Sequence, residues 1–131
     1  MQTCLVIDEF AVVRKVASRI LTLSGYNALV ADTLEQAIGM IAEAGTVDIV
    51  VVSATLPDAS VDDAVRRVRQ EPGASRAIVL ASLVEANLGL MTRAKRAGAL
   101  GFIYRPFDRE SLTGWLRAYA PAEEAKTREL A

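Results

Sequence analysis

Five short apolar segments recur along the chain, and a longer segment with helical spacing of its apolar residues follows each one. The short segments have strand length and comprise residues 3–7, 27–31, 48–52, 77–81 and 101–104. Several of them, such as residues 49–52, are apolar at consecutive positions, which is typical of parallel strands covered on both faces. The alternation therefore predicts an α/β fold with one five-stranded parallel sheet and helices on both faces, joined by right-handed crossovers.

Local signals mark where the intervening helices begin and end. Side chains suited to N-caps stand at Thr33, Ser60 and Asp108, because a short polar side chain accepts a hydrogen bond from a free N–H of the first turn. Gly25 and Gly98 follow the first and fourth helical segments, and glycine adopts the left-handed conformation that ends many helices. We therefore expect five helices: one at about residues 11–24, one that opens at Thr33, one that opens at Ser60, one at about residues 87–97, and one that starts after Asp108 and stops at Pro121.

Length and composition exclude several classes of protein. The chain has 131 residues, no histidine, one cysteine and a formal net charge of −1. We expect one domain over residues 1–120 and a tail or linker start at residues 121–131. Imidazole catalysis, histidine metal ligands and disulfides within the chain are excluded, and Cys4 is expected to be a packed thiol in a cytoplasmic protein. The charge balance and short apolar segments favour neither DNA nor a membrane as partner.

The candidate site follows from the sheet. In an open parallel sheet, ligands and reactions are found at the carboxyl ends of the strands. The residues predicted to lie there are Asp8 and Glu9 after the first strand, Ser53 after the third, Ala81 and Ser82 at the end of the fourth, and Arg105 and Pro106 after the fifth. We therefore expect two carboxylates, one or two hydroxyls and one guanidinium to meet at this edge.

Three segments resemble a known family. They are residues 5–9 (Leu-Val-Ile-Asp-Glu), residues 53–58 (Ser-Ala-Thr-Leu-Pro-Asp), and residues 97–102 (Ala-Gly-Ala-Leu-Gly-Phe) followed by Arg105-Pro106-Phe107. In this order, over about residues 3–119, the chain resembles the receiver domain of two-component response regulators. The resemblance implies a doubly wound (βα)5 fold, a flavodoxin-like and CheY-like three-layer sandwich.

The resemblance also shows which site positions of this chain depart from the residues that the family uses. In the family, an acidic pair and a phosphoacceptor aspartate bind a divalent ion, a lysine neutralises the phosphoryl oxygens, and a strand-four hydroxyl bonds the product. Here Asp8 and Glu9 match the acidic pair, but Ser53 matches the phosphoacceptor, Ala81 the hydroxyl position and Arg105 the lysine. This departure predicts a degenerate pseudo-receiver that is not an enzyme, has no catalytic residue and needs no cofactor. Asp8 and Glu9 are the residual candidates for a metal, and no metal is expected.

Each changed position has two interpretations. Arg105 either pairs with Asp8 and Glu9 and holds the site in one conformation, or it points into solvent. Ser53 is either a target of a serine kinase or a buried hydroxyl bonded to nearby backbone, since a serine without an adjacent base is a poor nucleophile. Ser82, one residue beyond Ala81, could supply the hydroxyl if the strand end is bulged.

By the resemblance, a protein-binding surface is expected either on the fourth helix, fifth strand and fifth helix or on the first and fifth helices. Its candidate residues are Phe102, Trp115, Arg93 and Arg96. Phe102 is expected to stay in one rotamer, because the hydroxyl that would couple to it is missing at Ala81. The resemblance implies a histidine kinase, another receiver or a different signalling protein as partner, and a homodimer is compatible with it. The first hypothesis is therefore a phosphorylation-independent adaptor module.

Two other functions stay open at this point. One is a sensor of a small ligand or cyclic nucleotide that uses the acidic pocket or the arginines of the fourth helix, since guanidinium groups bind phosphates. The other is a phospho-receiver with a non-standard acceptor such as Asp58. Three further basic residues of the third helix, Arg66, Arg67 and Arg69, are expected to face water.

Overall fold

The structure is a computed structural model that describes residues 1–120. The strands are β1 (Thr3–Ile7), β2 (Asn27–Ala31), β3 (Ile49–Ser53), β4 (Ile78–Leu83) and β5 (Gly101–Tyr104). The helices are α1 (Ala11–Leu23), α2 (Leu34–Ala44), α3 (Val61–Gln70), α4 (Leu88–Ala97) and α5 (Arg109–Tyr119), with one 3₁₀ turn at Pro72–Ala74. The predicted tail at residues 121–131 lies outside the described residues.

All five strands form one parallel sheet in the order β2-β1-β3-β4-β5. Alternate side chains of the strands enter two separate cores, as the two-residue period of a strand requires. One core packs under α2, α3 and α4, and the other packs under α1 and α5. The predicted (βα)5 three-layer fold is confirmed. Among residues 1–120, no helix is long and apolar enough to cross a membrane.

The strand boundaries place the site residues. β3 begins and ends one residue later than predicted, and β4 continues to Leu83 instead of ending at Ala81. In the ladder, Ser53 pairs with Ser82, and Val52 pairs with Ala81. Neighbouring residues in register on parallel strands point to the same side of a sheet. Ser53 and Ser82 are therefore side by side without any bulge.

The predicted N-caps are present. Thr33 accepts from the N–H of Gln36, Ser60 accepts from Asp63, and Asp108 accepts from Ser111. Asp108 and Ser111 also bond reciprocally as a capping box, so the start of α5 satisfies its own free donors. At α2 the side chain of Gln36 accepts from the N–H of Asp32, and therefore does not bond back to the N–H of the N-cap residue Thr33.

Arg69 does not face water as expected. Its Nη1 donates to the carbonyl oxygen of Ala77 and its Nη2 to that of Gly98, both at 2.8 Å. Because Ala77 precedes β4 and Gly98 ends α4, one guanidinium joins α3 to both elements. Arg66 and Arg67 are exposed, as predicted, and form salt bridges within α3 or with the residue that follows it.

Candidate functional site

Buried polar side chains are concentrated at the carboxyl ends of the strands. Within residues 1–120, the buried polar or charged residues are Asp8, Ser53, Ser82 and Arg105. Asp8 and Arg105 directly follow β1 and β5, Ser53 is the last residue of β3, and Ser82 is the last but one of β4. Burying such groups costs free energy unless they are paired. The contacts among them therefore indicate what this edge of the sheet does.

Arg105 pairs with the acidic residues after β1. Its Nη1 lies 3.1 Å from Oδ2 of Asp8 and 3.7 Å from Oε1 of Glu9. The Arg105 side chain is 4% exposed and the Asp8 side chain 1%, so the interpretation in which Arg105 points into solvent is wrong. The other Asp8 oxygen, Oδ1, accepts from the N–H of Phe10 at 2.9 Å. Both oxygens of the Asp8 carboxylate are therefore bonded.

A second set of contacts connects Glu9, Ser53 and Arg105 through Thr55. Ser53 Oγ donates to Oε1 of Glu9 at 2.7 Å, and Thr55 Oγ1 donates to Oε2 at 2.5 Å. Arg105 Nη2 donates to Thr55 Oγ1 at 3.3 Å. Thr55 was not predicted as a site residue. The available signal was a hydroxyl two positions after Ser53, in the loop that leaves the strand tip.

The environment shifts the pKa values of Asp8 and Glu9 in opposite directions. Burial raises the pKa of Asp8 above its ordinary value, although the Phe10 N–H and the Arg105 charge oppose this rise. Burial also acts to raise the pKa of Glu9, but the hydrogen bonds from Thr55 and Ser53 outweigh it, and the pKa lies below its ordinary value. Hydrogen bonds donated to an ionised carboxylate favour that form. Glu9 is therefore the more stable anion of the two.

Ser82, and not the residue at position 81, supplies the hydroxyl of strand β4 at the site. Ala81 lies opposite Val52 and Phe102 and belongs to the core under α2, α3 and α4. Ser82 lies opposite Ser53, is 1% exposed, and has no hydrogen-bond partner for its Oγ within the described chain. The register is regular, so Ser82 rather than Ala81 presents a hydroxyl beside Ser53. The predicted end of the fourth strand at Ala81 was wrong, because an apolar run in the sequence does not mark where the hydrogen-bonded pairing of two strands ends.

The donor set does not fit a divalent metal ion. Mg²⁺ requires oxygen ligands in near-octahedral geometry and is bound by carboxylates. Here Asp8 and Glu9 both face Arg105 Nη1, and the third position, Ser53, offers a hydroxyl that already donates to Glu9. A guanidinium thus occupies the position between the two carboxylates where a cation would bind them. Within residues 1–120, no group of three or more acidic or thiol side chains could hold a metal ion.

Asp58 does not belong to this set of contacts. Its Oδ1 accepts from the N–H of Leu34 at 3.1 Å, and its Oδ2 accepts from the N–H of Glu35 at 3.2 Å. These are free donors of the first turn of α2. Asp58 therefore caps a neighbouring helix from the loop after β3.

The residues of the predicted protein-binding surface lie apart from the strand-tip contacts. Trp115 is half-buried and packs edge-to-face on Tyr104 at 6.4 Å and Phe107 at 6.5 Å between ring centroids. Phe102 is partly buried against the core under α2, α3 and α4. The two arginines predicted on this surface, Arg93 and Arg96, are exposed on α4.

The fold resembles that of several solved structures. A chemotaxis protein of Vibrio cholerae, CheY4, matches with a TM-score of 0.84 and 23% identity over 91% of this chain and 98% of that chain. A response regulator of Thermotoga maritima matches with a TM-score of 0.81 and 21% identity, over 93% and 99% of the two chains. The receiver domain of the sensor histidine kinase PA1611 of Pseudomonas aeruginosa PAO1, solved with a magnesium ion in its active site cleft, has a TM-score of 0.79 and 22% identity over 92% and 98%.

The sequence comparisons gave a match to a family model but none to an individual curated protein. The family model described as the response regulator receiver domain matches residues 4–117. This span includes every strand-tip residue discussed above and all but the last two residues of α5. The chain belongs to the response regulator receiver domain family.

Proposed function

We propose that this receiver domain of two-component signalling is a pseudo-receiver, which accepts no phosphoryl group at its strand tip and acts by binding another protein. The observation that supports the proposal is the pairing of Arg105 with Asp8 beside a serine at the tip of β3. The cation that would otherwise neutralise incoming phosphoryl oxygens is already bound to a carboxylate of the same protein.

The chemistry of Ser53 supports the same proposal. A serine hydroxyl becomes a useful nucleophile when an adjacent base takes its proton. The carboxylate that accepts from Ser53 Oγ is that of Glu9, whose lowered pKa makes it a weak base. Ser53 is also fully buried, so a kinase could not reach it in the folded domain.

The contacts suggest a fixed conformation. Arg105 joins Asp8 after β1 to Thr55 after β3, and Thr55 is bonded to Glu9. Three loops at the carboxyl edge are therefore held together without metal or phosphoryl group. A domain held in one conformation is suited to be a constant binding surface, and the proposed partner is a signalling protein such as a histidine kinase or another receiver.

The alternatives from the sequence have less support. Asp58 is not proposed as an acceptor, because its two oxygens already accept hydrogen bonds from N–H groups of α2. The nucleotide-sensor alternative relies on exposed arginines of α4, which are common on protein surfaces. The proposed setting is the cytoplasm, where the buried Cys4, whose pKa burial raises to about 12, stays an unreactive thiol.

The decisive experiment is exposure to a small phosphodonor. The protein is incubated with acetyl phosphate and Mg²⁺ and its intact mass is measured, alongside a receiver that is known to accept phosphate. We expect no gain in mass, and no change in Trp115 fluorescence on addition of beryllofluoride and Mg²⁺. A gain of one phosphoryl group on this chain would overturn the proposal.

A further inference from the structure

Helix α1 has an unbalanced charge. Its sequence contains Arg14, Lys15 and Arg19 and no acidic residue. Arg14 donates to the carbonyl oxygen of Asp8 at 2.9 Å, but within residues 1–120 none of the three cations forms a salt bridge. Helix α1 therefore carries three cations that no carboxylate of residues 1–120 neutralises.

The same three side chains line a cleft on the surface of the fold. It has a volume of about 740 Å³ and lies between α1 and the edge strand β2. We call it the α1 groove. It includes residues from Ala11 to Leu23, which corresponds to about 18 Å along the helix axis. A groove of this length fits a peptide segment better than a compact small molecule.

The lining of the α1 groove combines cations with apolar surface. Leu23 is 65% exposed and Val30 of β2 is half-buried, and both lie in the groove. No acidic residue lines it. A ligand complementary to this lining carries negative charges at its edge and apolar side chains toward Leu23 and Val30. Complementary potentials of this kind increase the rate and specificity of association.

We propose that the α1 groove binds an acidic segment of a partner protein, one that alternates carboxylates with apolar side chains. The inference depends on the proposed protein-binding function and adds to it a surface and a partner chemistry. This surface differs from the one expected on α4, β5 and α5, because β2 and β5 are the opposite edges of the sheet. It also differs from the one expected on α1 and α5, because no residue of α5 lines the groove.

The test uses the full chain and a defined probe. The ¹⁵N-labelled protein is titrated with a peptide of about twelve residues in which pairs of glutamates alternate with pairs of leucines. Two control peptides replace glutamate by lysine or shuffle the same composition. We expect saturable binding of the glutamate peptide, with chemical-shift changes confined to α1 and β2, weaker binding at higher salt, and no binding of the lysine peptide.

A matched pair of double variants locates the site. Lys15→Glu with Arg19→Glu should raise the dissociation constant at least about tenfold. Arg93→Glu with Arg96→Glu makes the same change of charge on α4 and should leave it unchanged. All four side chains are exposed, so both variants should remain folded, which their thermal unfolding checks.

The inference would be overturned by equal binding of the lysine peptide, by equal weakening in the α4 variant, or by chemical-shift changes that map outside α1 and β2. Concentration-dependent dimerisation lost in the α1 variant would assign the groove to a second copy instead, and would also overturn it. Absence of peptide binding together with no mass gain from acetyl phosphate rejects the groove but not the pseudo-receiver. A mass gain rejects the pseudo-receiver, whatever the peptide does.

Discussion

Arg105 Nη1 lies 3.1 Å from Asp8 Oδ2, although the two residues are 97 positions apart in the sequence and both are buried. The pair joins β1 to β5 across the carboxyl edge of the sheet. A buried ion pair is often no better than well-packed apolar residues, but removal of one member leaves a buried charge without a partner. The contact therefore affects both conformation and stability.

Loss of either member of this pair should destabilise the fold. Arg105→Met leaves Asp8 without its nearest cation and should lower the free energy of unfolding by about 3 kcal/mol. Asp8→Asn should have a comparable effect. The loss of unfolding free energy in the double variant should be smaller than the sum of the two single losses, by about 1–3 kcal/mol. Urea unfolding at neutral pH measures all three.

The control for these variants is Arg93→Met, because Arg93 is exposed on α4 and should change the unfolding free energy by less than about 0.5 kcal/mol. Strict additivity of the Asp8 and Arg105 substitutions would contradict the coupling inferred from the structure.

Thr55 should contribute to the same contacts. Thr55→Ala removes hydrogen bonds to Glu9 and Arg105 and should cost about 1 kcal/mol, the usual net worth of a hydrogen bond. Thr46→Ala, at another exposed threonine in a loop, is the matched control. If thermal unfolding gives the two variants equal midpoints, the Thr55 contacts are not stabilising.

Thr55 also illustrates how far the sequence could be interpreted. The strand-tip rule brought Asp8, Ser53 and Arg105 together correctly, because it depends only on parallel strands and their order. Thr55 was not predicted, because its hydrogen bond with Glu9 joins residues that are 46 positions apart, and no local sequence pattern indicates such a bond. Periodicity predicts where strands and helices occur, but it does not predict which loop side chain turns back toward the sheet.

The network around Glu9 should make stability depend on pH. The pKa of Glu9 in the folded chain lies below its ordinary value of 4.5, so its ionised form is favoured by folding. This contribution is present above pH 4.5 and is lost as the pH falls through the folded pKa. The difference in unfolding free energy between wild type and Glu9→Gln should therefore be constant near neutral pH and shrink in acid.

Comparison with Glu9→Gln is needed because Asp8 acts in the opposite direction. Its raised pKa gives a contribution that is present at low pH and is lost as the pH rises through the folded pKa. Both proteins contain Asp8, so its effect largely cancels in the difference. A difference that grows as the pH falls would contradict the assignment for Glu9.

Asp58 should stabilise α2 from outside that helix. In Asp58→Ala, the N–H groups of Leu34 and Glu35 lose the carboxylate oxygens to which they donate. The free energy of unfolding should fall by about 1 kcal/mol, as it does when an N-cap is lost. Hydrogen exchange should become faster in the first turn of α2. Asp32→Ala, at an exposed acid just before α2, should leave that exchange unchanged, and equal effects of both variants would reject the capping role.

The position of Ser82 could not be obtained from the sequence for a related reason. The apolar run suggested that β4 ends at Ala81, whereas the ladder with β3 continues to the pair of Ser53 and Ser82. Pairing partners, not the polarity of one segment, decide where a strand ends. Helix caps such as Ser60 and Asp108 were predicted correctly because they depend on residues only a few positions away.

The guanidinium of Arg69 makes the two ends of α4 unequal. One end is fastened at Gly98 to α3 and to the entrance of β4, while the other begins beside Val84 and Leu88, which are 67% and 81% exposed. Helix α4 is therefore joined to its neighbours by side-chain hydrogen bonds at its C-terminal end, while its N-terminal end presents two apolar side chains to the solvent. A partner protein that covered these two side chains would contact the end of α4 that Arg69 does not bind.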